Sequence, residues 1–133
     1  MHMCAETVAV LDRPAAAAEL YAQLAPYGDV LPCNSVVVFE VLHWGLGRLA
    51  SSLGRYGEAE LHFAQAEEVH RRLGARYFLA RTYWAWAEML VARGRAEDTA
   101  RARDLAGRAA VEASTRGYAR VEAQARSVLR RVT

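Results

Sequence analysis

The chain contains no lysine, because all 17 of its basic residues are arginine. A phosphate-binding loop of the GxxxxGK[ST] type requires a lysine, so this class of nucleotide site is excluded. Cysteine is also scarce, since Cys4 and Cys33 are isolated and have neither a CxxC nor a Cys/His spacing. Two such residues indicate neither a disulfide framework nor a zinc site, and we expect a reducing, cytoplasmic environment.

Long apolar runs are missing as well. The best candidate, SVVVFEVLHWGL, is interrupted by Glu40 and His43, and no stretch reaches the 18 or more apolar residues of a membrane span. The N-terminus lacks the basic region and apolar core of a signal peptide. We therefore expect no membrane association, and the opening MHM suggests that the sequence begins inside a longer protein.

Strand signals are nearly absent, because only SVVVF (35–39) is β-branched and unbroken, and it is too short to separate a strand from a buried helix. Between 58 and 73 the apolar residues recur at helical spacing, and Gly74 is suited to the left-handed position that follows a helix. The apolar stripe over 118–132 predicts a closing helix. These patterns predict an all-α protein.

The sequence also repeats itself with a period of 40 residues. This offset pairs Gly54 with Gly94, Trp44 with Trp84, Arg48 with Glu88, and Ala50 with Leu90. The period exceeds the ~34 residues of the standard helix-hairpin repeat, and we expect the difference to lie in a longer connection and in AEDT (96–99), which inserts about three residues. Such a repeat predicts stacked helical hairpins.

One copy of the repeat resembles the tetratricopeptide (TPR) pattern in order and spacing. Its matching residues are Leu46, Gly47, Ala50, Gly54, Tyr56, Ala59, Phe63 and Ala66. A weaker copy contains Trp86, Ala87, Leu90, Gly94, Ala102, Ala106 and Ala109, and a degenerate third copy contains Ala5, Val8, Asp12, Ala17, Tyr21 and Leu24. In this pattern Gly47 allows two helices to approach closely, and Gly54 ends the first of them.

The resemblance implies one domain over 1–133, folded as a short right-handed TPR-like solenoid. We expect three antiparallel hairpins at about 2–27, 35–74 and 77–115, followed by a closing helix at 117–132. The segment 54–94 also resembles the C-terminal repeat region of bacterial LuxR-type regulators and of class III adenylate cyclases that carry an AAA or STAND ATPase. It implies a non-enzymatic, protein-binding or sensing module without a cofactor.

Several patterns that could support chemistry are outweighed by their context. GLGRLA (45–50) has the form GxGxxA, but a dinucleotide site needs alternating strands and helices and an acidic residue after a second strand. His43, His62 and His70 are too irregularly spaced for a metal triad, so we interpret them as surface or packing residues. Cys33 has no evident histidine partner for catalysis. We expect neither a catalytic nor a metal site.

The best functional lead in the sequence is aromatic. In a helical-repeat array, equivalent positions of successive first helices line one concave face. Trp44 and Trp84, with Arg48 and Glu88 one turn further on, are predicted to form a ledge there for a protein or peptide partner. Trp86 falls at a core position of its repeat. The alternative is that all three tryptophans belong to the core.

Three other interpretations remain open from the sequence. A small effector could bind in an apolar cleft near Phe39, Trp44 and Trp84. The segment 93–133 contains ten arginines and five acids, a net charge of +5, which could meet an acidic partner. Arginines on solvated helix faces are the preferred explanation, and nucleic-acid binding is not favoured. A short array could also self-associate through its end hairpins.

Overall fold

A computed structural model describes residues 13–29 and 41–133. Within these ranges the chain is all-α and has no strand, which confirms the predicted fold class there. The helices are α1 (Pro14–Leu24), α2 (Leu42–Ser52), α3 (Tyr56–Arg72), α4 (Arg76–Arg93), α5 (Asp98–Arg116) and α6 (Ala119–Arg131), with a short 3-10 turn at Ala25–Tyr27. The start of the hairpin predicted at 2–27, the SVVVF segment, Phe39 and Cys33 lie outside the described residues.

Four helices end at a glycine with a left-handed backbone. Gly54, Gly74, Gly94 and Gly117 have φ values of 70°, 64°, 70° and 74°. At Gly54 the amide donates to the Ser51 carbonyl, and the next amide, of Arg55, donates to the Ala50 carbonyl. This is the Schellman pattern, which satisfies carbonyls at the end of α2 and favours glycine because it lacks a Cβ.

These glycines are also regularly spaced along the sequence. Gly54, Gly74 and Gly94 follow one another at intervals of twenty residues, so two consecutive helices together account for the 40-residue period. Gly117 follows Gly94 after twenty-three residues. The additional three residues agree with the insertion predicted at 96–99.

The chain divides into two compact units, Met1–Val69 and His70–Thr133, and the boundary falls inside α3. In unit 1, α1 packs against α2. Proline suits the first position of α1, where a missing amide hydrogen costs nothing. The buried residues follow helical spacing on each helix: Ala17, Tyr21 and Leu24 on α1, Trp44, Leu46, Leu49 and Ala50 on α2, and Ala59, Phe63 and Ala66 on α3.

Helices α2 and α3 approach closely at Gly47. A Cβ added there would lie 2.8 Å from Cε1 of the buried Phe63 ring. Such a distance is shorter than a van der Waals contact, so a side chain at Gly47 would displace the ring or the helix. Close packing with Phe63 therefore offsets the loss of helix stability that a glycine at position 47 causes.

In unit 2, α4 and α5 are antiparallel. Arg76 pairs with Glu112, Tyr83 with Arg108, and Arg93 with Asp98, so residue numbers rise along α4 as they fall along α5. This pair corresponds to the hairpin predicted over 77–115. The core between α4 and α5 also includes α6. Ala80 of α4, Ala113 of α5 and Val121 of α6 form one buried cluster, and Tyr118 packs against it.

Helix α6 runs parallel to α4. The Tyr77 and Tyr118 rings meet near the start of both helices, and Glu88 and Arg131 meet near the end of both. Ten residues of α4 are buried, which explains why its sequence has little of the polar face typical of a surface helix. No helix in the described part of the chain is long and apolar enough to cross a membrane.

Candidate functional site

The residues predicted for the concave face are distributed over both units. In unit 1, Trp44 is 0% exposed, and the Arg48 guanidinium lies 5.8 Å from the centroid of the Trp44 ring. In unit 2, Trp84 is 7% exposed, and the Glu88 carboxylate lies 3.4 Å from Nη2 of Arg131. The two tryptophans therefore contribute little accessible surface, and a ledge shared by both units stays a prediction.

The residues of the repeat signature occupy structural positions. Gly54 and Gly94 follow helix ends, and the half-buried Tyr56 begins α3. The remaining signature residues are buried: Leu46, Gly47, Ala59, Phe63, Ala66, Trp86 and Ala87. Near Trp86, the Arg101 guanidinium lies 4.7 Å from the ring centroid. The signature thus accounts for packing within each unit.

Exposed and half-buried aromatic and charged side chains, including Glu88 of the predicted ledge, lie along α4 and α6 in unit 2. We call this surface the α4/α6 face. It consists of Tyr77, Arg81 and Glu88 from α4, Tyr118, which directly precedes α6, and Arg131 at the end of α6. Tyr77 is 40% exposed, and its ring meets that of Tyr118 edge to face with centroids 5.1 Å apart. The Arg81 guanidinium lies 5.9 Å from the Tyr77 ring centroid.

A groove of about 500 Å³ runs between α4 and α5. Among its lining residues, the Arg108 guanidinium lies 4.1 Å from the Tyr83 ring centroid and donates a hydrogen bond to the Tyr83 hydroxyl. Arg76 and Arg103 line its walls together with Asp104 and Glu112. The groove therefore combines three guanidinium groups with two carboxylates.

Several arginines in unit 2 form ion pairs with carboxylates. Arg93 makes two 2.6 Å hydrogen bonds to Asp98, from Nε to Oδ2 and from Nη2 to Oδ1. This contact holds the pKa of the Asp98 carboxyl below its usual value. Two further pairs lie one turn apart on a helix, between Arg116 and Glu112 and between Arg126 and Glu122. The surplus positive charge of 93–133 is therefore interspersed with acids.

Unit 1 contains a chain of polar side chains that the sequence did not predict. The Tyr21 hydroxyl lies 2.8 Å from both Oε2 of Glu58 and Nε2 of His62. Nδ1 of His62 lies 2.9 Å from Nδ1 of His43, whose Nε2 lies 3.2 Å from Oδ1 of Asp29. We call these five residues the Tyr21–His43 network.

The environment of this network changes two pKa values. Burial and the Glu58 carboxylate raise the pKa of Tyr21 to about 12. Burial, followed by the neighbouring His43, lowers the pKa of His62. Both shifts favour the neutral form of the side chain.

The interpretation of the histidines as separate surface or packing residues missed this contact. His43 and His62 lie 19 positions apart on successive helices, and only the α2–α3 hairpin brings them together. His70 is buried in unit 2, where its Nδ1 lies 3.1 Å from the Thr82 hydroxyl. In the described residues, no three His, Cys, Asp or Glu side chains cluster closely enough to hold a metal ion.

Comparison of the chain with family models, with curated proteins and with solved structures gives no match.

Proposed function

We propose that this chain is a non-enzymatic interaction module, built from TPR-like hairpins stacked as a short right-handed solenoid, which binds a protein or peptide partner. The observation that carries this proposal is the parallel arrangement of α4 and α6 in unit 2. In a helical-repeat array, the first helices of successive hairpins run parallel and line one face. The pairs Tyr77–Tyr118 and Glu88–Arg131 have sequence offsets of 41 and 43, close to the 40-residue period.

The chemistry of the α4/α6 face suits a protein partner. Tyrosine and arginine are enriched among residues that dominate binding energy at interfaces, because they combine large contact area with hydrogen bonding. Tyr77 and Arg81 supply both groups at adjacent turns of α4. Glu88 and Arg131 add one charge of each sign further along, which would fix the orientation of a bound segment.

Charge balance supports a protein partner over a nucleic acid. Binding to a phosphate backbone relies on many arginines or lysines that each neutralise a phosphate. In unit 2, Arg93, Arg116, Arg126 and Arg131 each have a carboxylate within 3.4 Å. A nucleic acid would have to displace these contacts.

The resemblance of 54–94 to the repeat regions of bacterial signalling proteins supports a wider role. In that role the module would be the sensing or scaffold part of a larger signalling ATPase or transcriptional regulator. Partner binding would change the packing of neighbouring hairpins and so bias the attached domains.

The test compares the wild-type chain with the variant Tyr77→Ala/Arg81→Ala. Immobilised chain captures a partner from lysate of the source cell, and the Kd of the purified partner is then measured for each variant. Tyr27→Ala is the matched control, because Tyr27 is 60% exposed and lies in unit 1. We expect binding at least about tenfold weaker in the double variant and unchanged in the control. Equal affinity in all three proteins would remove the α4/α6 face from the proposal.

Alanine variants of Trp44 and Trp84 are unsuitable for this purpose. Both side chains are buried, and truncating a buried tryptophan costs about 3–5 kcal/mol. Any loss of binding would then be indistinguishable from loss of folding.

A second candidate function is binding of a small effector in the α4–α5 groove. Its volume of about 500 Å³ lies within the range typical of small-molecule sites, and Arg76, Arg103 and Arg108 favour an anionic group. A thermal-shift screen with carboxylate and phosphate metabolites tests this. A true ligand raises Tm in the wild-type chain, because it binds only the native state, and does so less in Arg76→Ala/Arg103→Ala.

A further inference from the structure

The hydrogen-bond directions in the Tyr21–His43 network follow from which atoms carry hydrogens. The Glu58 carboxylate can only accept, so the single Tyr21 hydroxyl hydrogen points to Glu58. The Tyr21 oxygen then accepts from His62, which places a hydrogen on Nε2 of that ring. Burial and the neighbouring His43 lower the pKa of His62, which favours the neutral ring, and a neutral ring with its hydrogen on Nε2 has a lone pair on Nδ1.

The same reasoning determines what His43 must donate. Its Nδ1 faces the lone pair on Nδ1 of His62 at 2.9 Å, so that contact requires an N–H on His43. Its Nε2 faces the Asp29 carboxylate at 3.2 Å, which requires a second N–H. A ring with both nitrogens protonated is an imidazolium.

Counting hydrogens shows that the whole set of contacts needs one proton more than its neutral side chains supply. Four hydrogen bonds connect Glu58 to Asp29 through Tyr21, His62 and His43. The hydroxyl and two neutral imidazoles supply three hydrogens, whereas the carboxylates at the two ends supply none. One proton from solvent is needed to complete the set.

The segment carrying Asp29 lies directly on the His43 ring. A Cβ added to Gly28 would be 2.4 Å from Cε1 of His43, and Gly28 is buried. The Asp29 side chain is fully exposed, at 100%. The turn at Gly28–Asp29 is therefore held against α2 by backbone contact with the ring and by the contact between Asp29 and Nε2.

We propose that His43 is a proton-binding site which fastens the Gly28–Asp29 turn to α2. Proton uptake gives the ring a hydrogen on both nitrogens, so that His43 donates to His62 and to Asp29 at once. Loss of the proton leaves one N–H for these two acceptors and removes the positive charge that attracts the Asp29 carboxylate, which weakens the hold on the turn. Histidine is the side chain that normally changes charge between pH 5 and 8, and this is the range that the test covers.

The other charged group close to this network does not replace the proton. Arg55 lies in the α2–α3 connection with its guanidinium 5.5 Å from the Tyr21 ring centroid, on the α1 side of the network. From α3, Glu58 faces Tyr21 rather than His43. In the described part of unit 1, the groups that contact His43 through its ring nitrogens are His62 and Asp29.

The experiment is ¹⁵N NMR of the histidine rings and of the Gly28 and Asp29 amides, recorded on the full chain from pH 8 to pH 5 with a metal chelator present. We expect His43 to become an imidazolium while His62 keeps a hydrogen on Nε2 alone. The Gly28 and Asp29 amide signals should follow the His43 transition with the same midpoint.

Two variants sharpen the result. In Asp29→Asn, His43 should take up its proton only at lower pH, and the response of the Gly28 amide should be lost. Glu19→Gln is the control, because it removes an exposed carboxylate of α1 that pairs with Gln23, and it should behave as wild type. The proposal is overturned if His62 takes the proton first, if His43 stays neutral down to pH 5, or if the Gly28 and Asp29 amides do not follow His43.

Discussion

His43 and His62 meet through their Nδ1 atoms, 2.9 Å apart, across the α2–α3 hairpin. Because Tyr21 connects His62 to α1, three helices of unit 1 share one continuous set of polar contacts. Such a network stabilises a unique arrangement only if each member is satisfied, so changes to single atoms within it should have measurable effects.

Removing the Tyr21 hydroxyl should destabilise unit 1. Tyr21→Phe deletes the donor to Glu58 and the acceptor for His62 while keeping the ring. We expect the free energy of unfolding in urea to fall by about 0.5–2 kcal/mol. Tyr27→Phe is the control, because its exposed hydroxyl has water as an alternative partner. Identical unfolding curves for both variants would mean that the hydroxyl contributes nothing.

Alkaline pH should destabilise unit 1 through the same residue. The pKa of Tyr21 is raised to about 12, above the ordinary value of about 10. The unfolded chain therefore loses this proton first, so the stabilisation is present below about pH 10 and is lost as the pH rises towards about 12. Phenolate absorbance of wild type minus Tyr21→Phe measures the transition. A transition near pH 10 in the folded protein would contradict the raised pKa.

The contact between Gly47 and Phe63 predicts opposite outcomes for two glycines. Gly47→Ala puts a methyl group 2.8 Å from the ring, and we expect a loss of about 1–3 kcal/mol in the free energy of unfolding. Gly57→Ala is the matched control, because no atom lies within 4 Å of its added methyl group. That helix position should tolerate alanine or gain stability, by up to about 1 kcal/mol.

A further variant tests the cause of the Gly47 effect. Phe63→Leu on its own creates space, and in combination with Gly47→Ala it should recover part of the lost stability. Additive losses in this double-mutant cycle would show that the methyl group and the ring do not conflict.

The Arg93–Asp98 pair predicts an acid-dependent loss of stability in unit 2. Their side chains are only 11% and 8% exposed, and Asp98 begins α5, where a negative charge also favours the helix dipole. Asp98→Asn should lower the free energy of unfolding at pH 7 by about 1–2 kcal/mol. Glu97→Gln, at an exposed neighbouring position, should have little effect.

The pH dependence of the same pair has a defined sign. Because the folded-state pKa of Asp98 is lowered, its stabilisation is complete above the ordinary pKa of about 3.9 and is lost as the pH falls through the folded value. Urea unfolding between pH 7 and pH 3 should therefore show a smaller acid loss in Asp98→Asn than in wild type. Equal acid losses would mean that the pair does not depend on the charge of Asp98.

The sequence predicted those features that depend on local chain chemistry. Helical spacing and the glycines at 54, 74 and 94 are local signals in the sequence, and helices α2, α3 and α4 end where those glycines indicate. The same role of Gly117 was not predicted, because the closing helix was expected to begin there. Gly47 could be predicted as a close approach because the repeat pattern places it opposite the second helix. All-α architecture in the described residues followed from these signals alone.

Contacts between distant residues were not predictable in the same way. His43 meets His62, and Tyr77 meets Tyr118, only because of the helix register within each unit, to which composition and spacing give no direct guide. Trp44 and Trp84 illustrate a related difficulty: a large aromatic side chain suits an interface and a core equally, and both are buried.

The left-handed glycines limit which substitutions this sequence can accept during evolution. A Cβ at Gly54, Gly74 or Gly117 would touch nothing within 4 Å, so the cost of substitution comes from the positive φ and is about 1–2 kcal/mol at each. Asparagine, which tolerates that conformation best among the larger residues, is the cheapest replacement. A change in the size of one core side chain can be compensated by a change in another. No neighbouring substitution relieves the backbone strain at a left-handed position. In diverged homologous sequences we therefore expect glycine or asparagine to be retained at these helix ends, about every twenty residues, after the aromatic and alanine positions have changed.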